Sequence, residues 1–383
     1  MSTRRTEWRA TLALAVPLIF AELGWIAMGL EDTMFVGRLD GELIGPLGLG
    51  TTVYHTVAAV AGGLLLGLDT LVSQAFGAGD RKDCRRSLIS GLWFAAILIP
   101  LVMLTVWAVQ PFLAIAGVRP AVLETVRPYM NVLNLGAPPL VIFFALRRYL
   151  QSIHVVRPVM FTLIAANLVN IAGNWIFVFG NLGAPALGAI GSGWATFCSR
   201  VFMVVSLAVV TLRHEPGLLR ESWKPEARIR ELIFLGVPAA GQVILEYIVW
   251  TAATVLAGRF ASEVLAGHQI ALMTVTTTFM MPLGVSSAAA VRVGHAVGRN
   301  DAAGAVRAGW TALGLGAGIM SCSALMLLLF PETIARIFTP DAAVIAAAVP
   351  ILRMAALVQL FDGFQVVTTG ALRGIGDTRT PML

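Results

Sequence analysis

Pro17-Leu-Ile-Phe-Ala-Glu-Leu-Gly-Trp-Ile-Ala-Met-Gly-Leu-Glu-Asp-Thr-Met-Phe-Val-Gly-Arg38 is mostly apolar, yet it carries carboxylates where carboxylates are expensive. A helix needs about 20 residues to cross the hydrocarbon of a bilayer, and this stretch supplies them. The stretch then recurs. Adding 221 carries Pro17 onto Pro238, Gly37-Arg38 onto Gly258-Arg259 and Glu42 onto Glu263. The same shift carries Ala75–Asp80 onto Ala296–Asp301. One constant offset over so long a span marks an internal duplication. The reading is of two homologous membrane halves, each entered through a helix with a buried acid, Asp32 in the first and Glu246 in the second.

Composition agrees. Of 383 residues, 57% are hydrophobic and only 13% charged, against roughly 25% charged in ordinary globular chains. Uncharged runs at Ile44–Leu68, Ser87–Val118, Pro158–Ser199 and Val264–Val291 are each long enough to span. The pattern predicts ten helices, at about 10–36, 44–75, 87–110, 122–148, 158–180, 187–212, 231–257, 264–297, 303–330 and 343–371. Asn181-Leu-Gly-Ala-Pro185 divides the longest uncharged run into two spans. Met1–Arg9 leads straight into a full span with no small-residue cleavage site, so no removable signal peptide is expected. The formal charge of +6 is not a nucleic-acid signal, because most basic residues fall in loops at one face. Cys84, Cys198 and Cys322 lack metal-site spacing and read as free thiols, and the histidines form no HExxH cluster.

The basic residues set the expected orientation. Arg4, Arg81, Arg148, Lys224, Arg299 and Arg373 mark segments that alternate with poorly basic ones, which places the N-terminus in the cytoplasm. Both halves then run the same way, so the repeat is parallel. The expected architecture is an all-α integral membrane protein of two parallel six-helix lobes, the second cut to four helices. The expected divisions are a first lobe over 1–213, a cytoplasmic linker over 214–230 with Pro225 in it, and a second lobe over 231–383. The repeat aligns Leu383 with about position 161, so the chain is expected to be a fragment lacking its last two spans.

Ionisable groups inside a membrane are rare and usually functional. The candidates are Glu22, Glu31, Asp32, Asp69, Glu246 and Asp362. Asp32 shares a helical stripe with Gly29 and Trp25, whereas Glu31 points elsewhere and reads as hydrated. Asp69 is expected to pair with loop arginines. For Glu246 and Asp362 the structural alternative is an ion pair with Arg200 or Arg353. The functional one is a coupled carboxylate pair facing one cavity, able to hold a proton or a hard cation such as Na⁺. Asn170 and Asn174, one turn apart, offer neutral oxygen ligands that with Thr196 and Asp32 make a second polar site; the competing reading is helix–helix glue.

Four stretches carry a family resemblance. They are Gly29–Arg38; Gly63–Asp80; Gly267-His-Gln-Ile270 with Met281–Gly284 and Arg292–Gly298; and Gly370–Thr378. Together they resemble multidrug and toxic compound extrusion (MATE) transporters of the NorM-like branch, over essentially the whole chain. The resemblance implies a twelve-helix, two-lobed antiporter that expels organic cations in exchange for Na⁺ or H⁺ from the inner membrane. No further cofactor, no enzymatic activity and a monomeric state are expected. Asp32, Asn170, Asn174 and Thr196 would form the first-lobe cation-coupling site. Glu246, Asp362 and Gln269 would form a second-lobe cation or substrate site, with Na⁺ at either. Val358 stands where such proteins can carry a tyrosine near the tenth-helix acid, and Asn174 stands where the other bacterial branch often has Asp. A lipid-linked-precursor flippase of the same superfamily is the alternative; its cavity is strongly cationic, whereas acids dominate mid-membrane here.

Overall fold

The computed structural model describes residues 2–39, 43–224, 228–257, 260 and 262–382. Glu42, Pro225, Gly258, Arg259 and Leu383 lie outside the described residues.

The uncharged runs become helices because a backbone in lipid must satisfy its own hydrogen bonds. The first half comprises α1 (Ser2–Leu39), α2 (Ile44–Leu64), α3 (Gly67–Gly77), α4 (Arg81–Ile115), α5 (Pro120–Leu135), α6 (Ala137–Ser152), α7 (Val156–Phe177) and α8 (Ala189–His214). The second comprises α9 (Arg228–Ala257), α10 (Ser262–Gly298), α11 (Ala302–Leu329), α12 (Pro331–Phe338) and α13 (Ala342–Ile375). Among the described residues nine spans are long and apolar enough to cross a membrane, α2 and α3 counting together, and α5 with α6, bent by 46°, makes a tenth if the pair is one span. This is a multi-pass helical membrane protein with no strand among the described residues.

Three details depart from the expected helices. The second span is broken at Leu65-Leu66, where Leu66, Leu68 and Asp69 donate to carbonyls only three residues back, a tighter turn than the α-helix. The fourth bends at Gly136, just before Pro138-Pro139, whose rings remove two donors. The short α12 was not expected; it is strongly amphipathic and begins at Pro331, just after Phe330.

The duplication is visible in the contacts. Asp80 caps α4 by accepting from Asp83 N at 2.9 Å, and Asp301 caps α11 by accepting from Gly304 N at 2.7 Å. The residues just before those caps, Gly79 (φ 77°) and Asn300 (φ 56°), are both left-handed. All three pairs keep the offset. So do the contacts between halves: Gly63 lies on Ala240 of α9, and Gly284 lies on Ile19 of α1. At the end of the bundle where Arg81, Arg292 and Arg373 gather, here called the basic end, α3 crosses α10. A Cβ on Gly77 would stand 2.3 Å from the His295 carbonyl oxygen, and one on Gly298 would stand 2.0 Å from that of Gln74. Only residues without side chains let the two backbones approach so closely.

Candidate functional site

Two polar features lie inside the bundle. The first is a cage around Asp32. Asp32 is 8% exposed, one helical turn past Met28 and near the far end of α1. Its Oδ1 accepts from Asn174 Nδ2 at 2.7 Å, and its Oδ2 accepts from Thr196 Oγ1 at 2.7 Å. Asn174 Nδ2 also donates to Asn170 Oδ1 at 3.0 Å. Asn170 and Asn174 are fully buried, one turn apart on α7, and α7 packs along α1 and α8. The structure therefore brings Asp32, Asn170, Asn174 and Thr196 together. It adds Ser192, one turn before Thr196 on α8, whose buried hydroxyl has no partner. Among the described residues no cation lies within ion-pair distance of Asp32, so its charge rests on neutral donors alone. Asn170 Nδ2 and Asn174 Oδ1 are also buried without partners. Asn174 Oδ1 and Ser192 Oγ are unsatisfied oxygens beside the carboxylate and can ligate a hard monovalent cation, whereas Asn170 Nδ2 is a hydrogen-bond donor and cannot.

Next to this cage sits a buried guanidinium. Arg200, one turn beyond Thr196, donates to the Tyr54 hydroxyl at 2.9 Å and to the Leu133 carbonyl at 3.0 Å. It also lies over the Tyr54 ring at 4.6 Å. Arg200 is thus not the partner of Glu246 or Asp362, and neither acid forms an ion pair among the described residues.

The second feature is a central cavity of about 1030 Å³ between the halves. Trp25, His55 and Phe144 of the first half and Tyr247 of the second give it aromatic walls, with Trp25 stacked on Phe143 at 6.3 Å. Glu246 and Gln269 both line it. Glu246 Oε1 accepts from Gln242 Nε2 at 3.3 Å. Asp362 is half-buried on α13 and is not in this wall, although it is near enough to interact with the Glu246 charge. Of the expected pair of carboxylates facing one cavity, only Glu246 is in the wall.

At its basic end the cavity meets charges that the sequence had placed at or just past the ends of spans. Arg147 and Arg148 belong to α6 and line the cavity with Arg373 of α13. Arg147 pairs with Glu22, and both are buried. Asp69 Oδ2 lies 3.4 Å from Arg148 Nη1 and 3.5 Å from Arg373 Nε. Asp69 thus pairs with arginines of the expected basic segments, Arg148 and Arg373, which belong to helices of the bundle and not to loops. Acids do not dominate the interior, because three arginines share this cavity with them. Thr70 Oγ1 donates to the Arg373 carbonyl at 2.6 Å, and Gln74 Nε2 donates to that of Gly374 at 3.0 Å. With the α3–α10 crossing just beyond, the basic end is closed. His295 of α10 adds a contact to the Ser152 carbonyl at 2.7 Å and a tilted ring contact with His154 at 4.3 Å.

A helical membrane protein built on a duplicated unit around a polar-lined cavity is the class these features define. The MatE family model matches residues 17–176 and 238–383, and the two matches begin 221 residues apart, at 17 and 238. The chain belongs to this family. It is 34% identical to "Probable multidrug resistance protein NorM" of Mesorhizobium japonicum, over 99% of this chain and 84% of that one. It is 32% identical to "Multidrug resistance protein PmpM" of Pseudomonas aeruginosa, over 99% of this chain and 81% of that one. Its fold is similar to that in "Crystal structure of eukaryotic MATE transporter AtDTX14", with TM-score 0.90 at 18% identity, covering 98% of this chain and 84% of the other. A second similar structure, "Outward-facing conformation of a multidrug resistance MATE family transporter of the MOP superfamily", gives TM-score 0.86 at 20% identity, covering 98% and 84%.

Proposed function

We propose that this protein exports organic cations across the inner membrane in exchange for Na⁺ or H⁺, with Asp32 as the coupling carboxylate. Multidrug efflux is supported by the names of its relatives and by the aromatic, Glu246-bearing cavity, which suits delocalised cations. The single observation that carries the coupling role is the Asp32 cage. A buried carboxylate with neutral donors and no counter-cation can take up and release a proton or Na⁺ without stranding a fixed charge. Glu246, with Gln242, Gln269 and nearby Asp362, serves as the substrate-facing acid. Transport proceeds by alternating access: the first and second lobes rock about the cavity, and the closed basic end faces the cytoplasm.

The arginines in the cavity give the lipid-precursor flippase a specific observation in its favour. Each of them, however, meets Glu22 or Asp69, so the wall lacks the strongly cationic character that reading requires.

The test uses everted membrane vesicles containing the protein and a fluorescent organic cation. Accumulation should require an imposed proton or Na⁺ gradient and should stop when that gradient collapses. Uptake that proceeds undiminished without either gradient rules out antiport.

A further inference from the structure

We propose that the basic-end floor of the cavity is an anion subsite, which receives the carboxylate of amphoteric substrates whose cationic part lies toward Glu246. This rests on the export reading above and adds to it a second recognition element of opposite sign.

Charge comes first. Arg147, Arg148 and Arg373 all line the cavity. Among the described residues only Glu22 and Asp69 pair with them. Three guanidinium groups are set against two carboxylates, so the floor keeps one positive charge facing the cavity. The pairing is also thin. Arg148 and Arg373 share a single oxygen of Asp69, at 3.4 and 3.5 Å, and neither approaches as a two-pronged fork.

Hydrogen bonding points the same way. Arg147 is 4% and Arg373 6% exposed; the Nε of Arg147 has no hydrogen-bond partner, and that of Arg373 has only Asp69 Oδ2 near it, at 3.5 Å. A guanidinium carries five donors, and leaving one unpaired in a buried place is costly. A planar carboxylate is the ligand that matches such donors best. Arg148 comes from the first half and Arg373 from the second, so a carboxylate seated here would touch both.

The opposite pole defines the rest of the ligand. Glu246 and Gln242 face the same cavity from α9, and Trp25, Phe144 and Tyr247 offer ring faces. A simple organic acid gains nothing from Glu246, and a simple cation gains nothing from the floor. A molecule with a delocalised cation and a carboxylate uses both. A space of about 1030 Å³ is ample for a drug-sized molecule.

The test compares tetramethylrhodamine, which has a free carboxylate, with its methyl ester, which keeps the same cation. Binding to the purified protein is followed by fluorescence polarisation. The acid should bind about tenfold tighter than the ester, the worth of one charge-assisted contact. Arg148→Gln should remove this preference by weakening the acid alone, and Arg148→Lys should retain part of it. Glu246→Gln should weaken both dyes alike. Wild-type protein that binds the ester as well as the acid, or better, overturns the subsite without recourse to any variant. So does Arg148→Gln that weakens both dyes equally. Ester binding and export with the acid excluded removes the subsite and keeps the export reading, whereas binding of neither dye removes both.

Discussion

Gly77 and Gly298 face each other across one helix crossing, each lying on the backbone three residues before the other: Gly77 on His295, Gly298 on Gln74. The offset of 221 turns either contact into its partner. A methyl group at Gly77 or Gly298 has no room to enter, since the obstruction is backbone. Gly77→Ala and Gly298→Ala should each cost about 1–3 kcal/mol, the usual price of overpacking. Gly48→Ala, on α2 with open space around it, should be neutral or slightly stabilising. Thermal unfolding in detergent separates the three variants; equal melting temperatures would mean that the crossing is loose.

The Asp32 cage makes a second prediction. Asp32→Asn keeps the size of the side chain but can neither release a proton nor offer a charge to Na⁺. No fixed cation is stranded, since the donors to Asp32 are Asn174 and Thr196. Gradient-driven efflux should be lost, with stability unchanged or raised. Normal efflux by this variant would remove Asp32 from coupling.

Buried acids with and without partners should separate cleanly. Glu22→Gln strands the buried Arg147 and should cost about 3–5 kcal/mol. Glu246→Gln strands nothing and should leave the melting temperature unchanged while reducing export of cations. Chemical denaturation or thermal melting of the two variants side by side is the measurement. Equal destabilisation would contradict the assignment of Glu22 to structure and Glu246 to substrate.

The proposed orientation is checked by reporters fused at two loops. A fusion within Glu215–Lys224 should report cytoplasm, and one at Asn181–Pro185 the opposite face. In the structure the first loop is tied to the basic end by Glu215 with Arg81 at 3.1 Å and by Glu221 with Arg85 at 2.9 Å. Reporters on the same side would refute an even number of spans before the linker.

Ten spans were legible because an uncharged run is a local property: lipid forbids unpaired charges, and counting along the chain finds them. Asp32, Asn170, Asn174 and Thr196 were legible as a set because each is polar in an apolar helix. The place of Arg147 and Arg148 at the end of the fourth expected helix was legible, but their part in the cavity wall was not. Two adjacent arginines at a span's end look like a loop, and Glu22, which buries Arg147, is 125 residues away. The usable signal was the reverse one: Glu22 and Asp69 sit in apolar helices and need cations. Ser192 and the Tyr54–Arg200 contact gave no such signal, since a serine or tyrosine in a membrane helix is ordinary.

The break at Leu65-Leu66 has no counterpart in the second half. The equivalent positions, Ser286-Ser287, lie within unbroken α10. The two halves share an ancestor, yet only the first breaks this helix. The segment beyond the break, α3, touches α4 and α6 of its own half and α9, α10 and α13 of the other. Descent and packing therefore divide the molecule along different lines. A boundary drawn by gene duplication falls between α8 and α9, whereas the backbone break falls inside the second span, and the segment beyond it packs on both halves.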